Sequence, residues 1–116
     1  MQKLTIQGTA KTPEVNLDPD NGLLEISGYS ISKSNKEFYG PVLKWIDEYS
    51  KKPHEKTLLR LKLYYYNTGT AMYILDILRR LEALYKKGFD VKVEWQYEEE
   101  DEASMEYGED YRDILS

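Results

Sequence analysis

Two segments of alternating apolar and polar residues, separated by one long amphipathic stretch, constrain the fold of this chain more than any other feature. Between Thr57 and Tyr66, and again between Phe89 and Tyr97, apolar side chains occupy every second position. A period of two predicts β-strands with one apolar and one polar face. In the first strand these faces are predicted to hold Leu59, Leu61, Leu63 and Tyr65 on one side and Arg60, Lys62, Tyr64 and Tyr66 on the other. A sheet buried on both faces would show continuous apolar runs, so this sheet is predicted to be covered mainly on one side.

Two helices are predicted to provide that cover. From about Thr70 to Lys87 apolar residues recur at helical spacing, and Gly88 follows at a position suited to end the helix. The predicted buried stripe is Ala71, Ile74, Leu75, Leu78, Leu81 and Tyr85. An earlier helix follows a capping-box sequence from Ser34 to Glu37, and Pro41 either starts that helix or lies inside it.

The N-terminal third is predicted to form strands and a hairpin. Short alternating pieces between Leu4 and Leu17 suit edge strands because Pro13 interrupts them. The turn residues from Asp18 to Gly22 then lead into a strand from Leu23 to Gly28. The order of elements predicts an α+β fold in two layers, a mixed β-sheet with the helices mainly on one face.

Charge is distributed unevenly along the 116 residues, which are expected to form one domain. The segment 98–113 contains nine acidic residues and one arginine. The net charge of this segment is −8 and that of the whole chain is −5, so the rest of the chain carries a net charge of +3. This acidic C-terminal segment is interpreted as a solvated or partner-binding surface, because consecutive carboxylates do not converge on one point.

Composition excludes several classes of function. The chain has no cysteine and one histidine, His54, which excludes a disulfide scaffold, a thiolate zinc site and a multi-histidine metal site. No catalytic residue, metal or cofactor is predicted. A sequence pI near 4.9 argues against nucleic acid, although Arg60, Lys62 and the tyrosines beside them resemble a small stacking platform. No run of about 18 apolar residues is present, so we expect a cytoplasmic protein that does not insert into membranes.

The junction from Asn67 to Thr70 is the strongest candidate site. It leaves a predicted central strand and starts the long helix, where exposed N–H groups favour anions. In structural terms Asn67, Thr68 or Thr70 serves as the N-cap. In functional terms one of the hydroxyls is phosphorylated, which would add about −1.5 to −2 charges.

Fragments along almost the whole chain resemble a known family. They are Thr12-Pro13-Glu14-Val15, Ile26-Ser27-Gly28-Tyr29-Ser30, Phe38-Tyr39-Gly40-Pro41, Tyr65-Tyr66-Asn67-Thr68-Gly69-Thr70-Ala71, Trp95-Gln96-Tyr97-Glu98-Glu99-Glu100-Asp101 and Gly108-Glu109-Asp110-Tyr111. In this order they resemble the SiaC family of regulatory phosphoproteins. The resemblance implies a fold similar to STAS domains. It also implies an adaptor that a dedicated kinase phosphorylates on threonine and that a PP2C-type phosphatase dephosphorylates. The unphosphorylated adaptor is implied to bind and activate a diguanylate cyclase in cyclic di-GMP signalling.

The resemblance implies Thr68 as the phosphoacceptor. The family's Ser-Ser that follows is replaced by Gly69 and Thr70, so Thr70 is a second candidate and glycine is expected to loosen the backbone beside Thr68. We expect Asn67, Thr68, Gly69 and Thr70 to bind the partner, with a neutral hydroxyl capping the helix and a phosphate opposing docking. The alternative is a small-ligand or anion-binding domain that uses the same helix N-terminus. An enzyme is the weakest hypothesis, because no general base, metal set or glycine-rich phosphate loop accompanies Thr68.

Overall fold

The computed structural model describes residues 1–96, which form five strands and two helices. In chain order these are β1 (Leu4–Ile6), β2 (Glu14–Asp18), β3 (Leu23–Ser30), α1 (Asn35–Tyr49), β4 (Lys56–Tyr66), α2 (Thr68–Lys86) and β5 (Asp90–Gln96). The strands form one sheet in the order β1-β2-β3-β4-β5. The pairs β1·β2 and β2·β3 are antiparallel, and the pairs β3·β4 and β4·β5 are parallel. The predicted α+β class with a mixed sheet is confirmed.

The predicted hairpin joins β2 to β3. The Asp18 carboxylate accepts hydrogen bonds from the Asp20 N–H at 3.1 Å and from the Asn21 side-chain amide at 2.8 Å. The hydrogen bond from the Asn21 side chain is the main reason that the pKa of Asp18 lies below its usual value. Gly22 closes the turn at φ +65°, and a side chain there would collide with the Lys56 carbonyl.

Both helices pack on the same face of the sheet and share one core with it. Its apolar members include Val15, Leu17, Leu24 and Ile26 from β2 and β3, Leu59, Leu61 and Leu63 from β4, and Ile74, Leu78 and Leu81 from α2. On β5 the alternation is as predicted, and Val91, Val93 and Trp95 pack against that core together with Phe89, which directly precedes the strand. Burying an apolar side chain of this size stabilises the fold by about 1.5–3 kcal/mol.

The predicted stripe of α2 is wrong at its C-terminal end. Tyr85 is 56% exposed, whereas Ile77 and Leu84 are buried. The reason is the path of the chain after the helix, because the Phe89 N–H donates to the Leu84 carbonyl at 3.2 Å. The turn after α2 places Phe89 against the core, whereas Tyr85 remains on the outside of the helix end.

The predicted start of α1 is correct in position but wrong in its capping bond. Ser34 occupies the N-cap position, with φ −102° and ψ 44°, and its side chain makes no capping hydrogen bond. These dihedrals differ from the extended conformation that aims a serine hydroxyl at the first turn. Pro41 lies inside the helix, which decides between the two predicted placements in favour of one continuous helix.

A β-bulge changes the predicted faces at the end of β4. Gly28 pairs with Leu63 and Tyr29 pairs with Tyr65, so Tyr64 is an extra residue on β4. Beyond it the alternation is inverted. Tyr65, predicted on the apolar face, is 68% exposed, and Tyr66, predicted on the polar face, packs against the core.

Two predictions lie outside the described residues. These are the position of Tyr97 at the end of the last strand and the acidic segment 98–113. Within residues 1–96 no helix is long and apolar enough to cross a membrane.

Candidate functional site at the start of helix α2

Asn67 is the residue that caps α2. Its backbone is extended, with φ −90° and ψ 173°, and its side-chain Oδ1 accepts a hydrogen bond from the Thr70 N–H at 2.9 Å. Thr68 follows as the first helical residue. The prediction that a neutral hydroxyl caps the helix is therefore wrong, because the extended residue that can reach back to the first turn is Asn67.

Hydrogen bonds tie the Asn67 side chain to the connection between β3 and α1. Its Nδ2 donates to the Ser32 carbonyl at 3.0 Å, and its Oδ1 also accepts from the Asn35 Nδ2 at 3.0 Å. The Asn67 N–H donates to the Ser30 carbonyl at 3.1 Å. Three separate contacts thus fix where α2 begins relative to the end of β3.

Thr70 is fully buried beneath this cap. Its Oγ1 lies 2.7 Å from the Ser30 hydroxyl, 2.9 Å from the Ser30 carbonyl, 2.9 Å from the Asn67 Oδ1 and 3.3 Å from the Asn35 Oδ1. A hydroxyl carries one proton, so it donates to one of these acceptors at a time. Thr70 therefore connects the end of β3, the first residue of α1 and the cap of α2.

The hydroxyl contacts continue from Thr70 into the core. The Ser30 hydroxyl lies 2.7 Å from the Tyr39 hydroxyl on α1, and the Tyr39 ring stacks on Tyr73 at 5.3 Å between ring centres. Burial raises the pKa of Tyr39 to about 12, with the hydrogen bonds to Ser30 and Thr70 opposing the effect in part. Tyr39 therefore stays protonated at physiological pH and anchors the inner end of the network.

A raised pKa at Tyr39 predicts how stability changes at alkaline pH. The unfolded chain loses the Tyr39 proton near pH 10, whereas the folded chain keeps it until about pH 12. The contribution is fully present below pH 10, and the free energy of unfolding is expected to fall as the pH rises through this window. In Tyr39→Phe this part of the pH dependence is expected to disappear, which urea denaturation at a series of pH values measures. Tyr85→Phe is the exposed control, and an equal pH dependence in wild type and Tyr39→Phe would contradict the assignment.

Thr68 and Gly69 form the exposed part of the junction. The first backbone hydrogen bond across this turn runs from the Ala71 N–H to the Asn67 carbonyl at 3.2 Å, so the N–H groups of Thr68 and Gly69 precede the helical ladder. The first turn contains no acidic residue. A negative group on Thr68 would therefore lie at the positive end of the helix dipole without local repulsion.

Gly69 leaves room for the Asn35 side chain. A Cβ at position 69 would lie 2.7 Å from the Asn35 Nδ2, the atom that bonds to Asn67. The sequence predicted that Gly69 loosens the backbone beside Thr68. In the folded chain the Asn35 amide packs where a side chain would be, and this contact opposes the loosening. Any larger residue at 69 must displace that amide.

The four predicted residues are adjacent in space but face in two directions. Thr68 and Gly69 are exposed, Asn67 is half-buried, and Thr70 points into the core. Sequence reasoning missed Ser30 and Tyr39, and it assigned Asn35 only to a capping box. One signal was available: Asn35 and Tyr39 are four residues apart, which places both on one face of α1.

The charged residues elsewhere in residues 1–96 do not form a second candidate site. Within residues 1–96 no group of three or more His, Asp or Glu side chains is placed to hold a metal ion. On the uncovered face of the sheet, Arg60 binds Glu94 at 3.2 Å and Glu25 at 3.3 Å. Arg60 is one of the two cations of the stacking platform that the sequence suggested for nucleic acid. Its charge is already paired with these two carboxylates.

Comparison with known proteins identifies the class of protein. The family model described as SiaC family regulatory phosphoprotein matches residues 6–116. The chain therefore belongs to the SiaC family of regulatory phosphoproteins.

Individual relatives agree with the family assignment. An uncharacterised protein of Pseudomonas aeruginosa (strain UCBPP-PA14) is 31% identical over 116 residues, which cover 100% of this chain and 92% of the relative. The crystal structure of apo-SiaC from Pseudomonas aeruginosa is 31% identical with a TM-score of 0.92, covering 100% of this chain and 94% of that one. The crystal structure of the diguanylate cyclase SiaD in complex with its activator SiaC, from the same organism, also matches. It gives a TM-score of 0.88 at 31% identity and covers 95% of this chain and 90% of that one.

Proposed function

We propose that this chain is a non-enzymatic regulatory phosphoprotein that is switched at Thr68. In this proposal a protein kinase phosphorylates Thr68 and a PP2C-type phosphatase removes the phosphate. The unphosphorylated form binds and activates a diguanylate cyclase. The single observation that carries the proposal is the exposed Thr68 at the start of α2, two residues before a threonine that is fully buried.

Accessibility favours Thr68 over Thr70 as the phosphoacceptor. Phosphoryl transfer requires the attacking oxygen to approach the γ-phosphate in line, within the kinase active site. The Thr70 hydroxyl has no exposed surface and contacts Ser30, Asn67 and Asn35, so its phosphorylation would require α2 to open. Thr68 meets the kinase without any such rearrangement. Because the reaction consumes ATP, the proposal implies the cytoplasm as its compartment.

The positive end of α2 supports a switch that leaves the fold intact. A phosphoryl group adds about −1.5 to −2 charges at pH 7. At a helix N-terminus an anion is stabilising by roughly 0.3–1 kcal/mol, so the phosphorylated chain keeps its structure. The added charge then acts on the partner, where desolvation and any facing carboxylate oppose docking.

The partner class is supported by the relatives. One of the matching structures is of SiaC as the activator bound to the diguanylate cyclase SiaD. An identity of 31% and a TM-score of 0.88 support a similar role for this chain. A competing proposal, a domain that binds a small anion at the same helix N-terminus, is favoured by the N–H groups of Thr68 and Gly69. It predicts a thermal shift with inorganic phosphate and no requirement for a kinase.

Phosphorylation of a defined residue tests the proposal. The chain is incubated with a candidate serine/threonine kinase from the same organism, ATP and Mg²⁺, and the modified residue is located by mass spectrometry of fragments. Wild type is expected to gain one phosphate on Thr68 because that hydroxyl is exposed, and Thr68→Ala is expected to gain none. Thr5→Ala, which removes another exposed threonine hydroxyl, is the matched control and should be phosphorylated like wild type. Phosphate on Thr70, or on no threonine of this junction, would contradict the proposal.

A further inference from the structure

One face of the parallel part of the sheet is uncovered in the described structure. Strands β3, β4 and β5 pair in parallel, and α1 and α2 both pack on one side of them. Parallel strands are almost always covered on both faces. Within residues 1–96 nothing covers the second face, which makes it a candidate surface for another layer of structure.

Three tyrosines cluster on this uncovered face, at the end nearest α2. We call Tyr29, Tyr64 and Tyr65 the tyrosine patch. The rings of Tyr29 and Tyr65 stack at 6.1 Å with an angle of 10° between their planes, and Tyr29 and Tyr64 lie 5.5 Å apart. Tyr29 is 42% exposed and Tyr65 is 68% exposed. The bulge at Tyr64 creates the patch, because without it Tyr65 would point into the core.

Mutual stacking prepares the patch for binding. Tyrosine has two rotatable side-chain bonds, so a ring already held by its neighbours loses little entropy when a partner covers it. Tyrosine is one of the residue types enriched among the hot spots of protein–protein interfaces.

The charge beside the patch indicates an acidic partner. The Lys62 ammonium lies 5.7 Å from the centre of the Tyr64 ring. Among the ion pairs formed within residues 1–96, Lys62 takes part in none, whereas neighbouring Arg60 is bound to Glu25 and Glu94. A carboxylate of a partner can therefore form a salt bridge with the Lys62 ammonium.

We propose that the tyrosine patch and Lys62 bind an acidic amphipathic helix of the effector protein, which becomes the third layer of the fold. Apolar side chains of that helix cover the Tyr29 and Tyr65 rings, and its carboxylates face Lys62. A helix is the occupant that suits a flat sheet face in a layered fold. This inference rests on the proposed function and adds the surface and the chemistry of the partner.

The position of Thr68 links this surface to the switch. Thr68 follows Tyr65 by three residues, so their Cα atoms lie within about 11 Å even for a fully extended chain. At physiological ionic strength charges interact over about 8 Å, and the phosphate is carried on a side chain. A dianion on Thr68 therefore lies close enough to act on the part of a partner that covers Tyr65, which gives phosphorylation a direct way to weaken docking.

Affinity measurements on surface variants test the proposal. Binding of a diguanylate cyclase from the same organism is measured by calorimetry for wild type, Tyr29→Ala, Tyr65→Ala and Lys62→Glu. Each variant is expected to bind at least tenfold more weakly than wild type. Tyr85→Ala and Lys52→Glu change an exposed tyrosine and an exposed lysine far from the patch and should bind like wild type. Circular dichroism confirms that each variant is folded.

The results separate this inference from the proposed function. If wild type binds no cyclase, the proposed function and the inference both fail. If wild type binds, Thr68→Asp binds weakly and the patch variants bind like wild type, the switch stands and only the surface is wrong.

Tyrosine acetylation provides a second test, which also identifies other occupants. With N-acetylimidazole and mass spectrometry, Tyr29 and Tyr65 are expected to react in the free chain and to be protected at least fivefold in the complex. Tyr85 should react equally in both states, and Tyr39, which is fully buried, in neither. Protection of Tyr29 and Tyr65 in the free chain would mean that residues 97–116 or a second copy cover the patch, and would overturn the proposal.

Discussion

Replacing Thr70 with valine is expected to lower the free energy of unfolding by about 1–2 kcal/mol. Valine keeps the shape of threonine and removes only the hydroxyl. In the folded chain that hydroxyl lies within hydrogen-bonding distance of Ser30, Asn67 and Asn35. The Ser30 hydroxyl keeps its contact with Tyr39 and the Ser30 carbonyl keeps the Asn67 N–H, so the cost is the loss of buried hydrogen bonds, about 0.5–1.5 kcal/mol each. Urea denaturation followed by circular dichroism measures the change.

The matched control is the same substitution two residues earlier. Thr68→Val removes an exposed hydroxyl with no structural contact of its own in the network, and it is expected to change stability by less than about 0.5 kcal/mol. Equal losses of stability in the two variants would contradict the separation between a structural Thr70 and a surface Thr68. The valine pair thus distinguishes the two candidate phosphoacceptors by their role in folding, without any kinase or partner.

The order of the elements was predictable because it depends on local periodicity. Alternation in β4 and β5 and the helical repeat of α2 come from the division of side chains between core and solvent, which repeats every two or 3.6 residues. The hairpin at Gly22 was predictable for a similar reason, since its turn residues act locally. Each of these features requires information from only a few neighbouring residues.

Features that depend on distant residues were not predictable from the sequence. The bulge at Tyr64 exists because β4 pairs with β3 near Gly28, whose φ of +122° is accessible mainly to glycine, and no periodic pattern reports this pairing. The Thr70 contact to Ser30 joins residues 40 positions apart. Buried hydrogen bonds of this kind become visible only when both elements have been placed.

The ambiguity between Thr68 and Thr70 shows where local reasoning could have gone further. Two residues separated by two positions on a helix point about 200° apart, so one must face the core when the other faces solvent. The predicted helix began at about Thr70 and left Thr68 in a loop, so this angle between the two side chains could not be used. Starting it at Thr68, with Asn67 as the cap, separates the two hydroxyls at once.

Phosphorylation of Thr68 is expected to weaken binding to the cyclase ten- to a hundredfold, which corresponds to about 1.4–2.7 kcal/mol. The phosphate must be partly desolvated when the partner docks, and it repels any carboxylate of the partner that faces Thr68. Thr68→Asp carries one charge where phosphate carries nearly two, so it should reproduce only part of the loss. Thr68→Val, which adds no charge, should bind like unphosphorylated wild type.

The affinity of one purified cyclase for the phosphorylated and the unphosphorylated chain tests the central proposal most directly. Both forms are prepared from one phosphorylated batch, half of which is treated with the phosphatase. Calorimetry on the two halves then measures the effect of a single phosphate. We expect binding of the unphosphorylated chain, a loss of at least tenfold on phosphorylation, and recovery after the phosphatase. Equal affinities of the two forms, with phosphate verified on Thr68, would contradict the proposed switch.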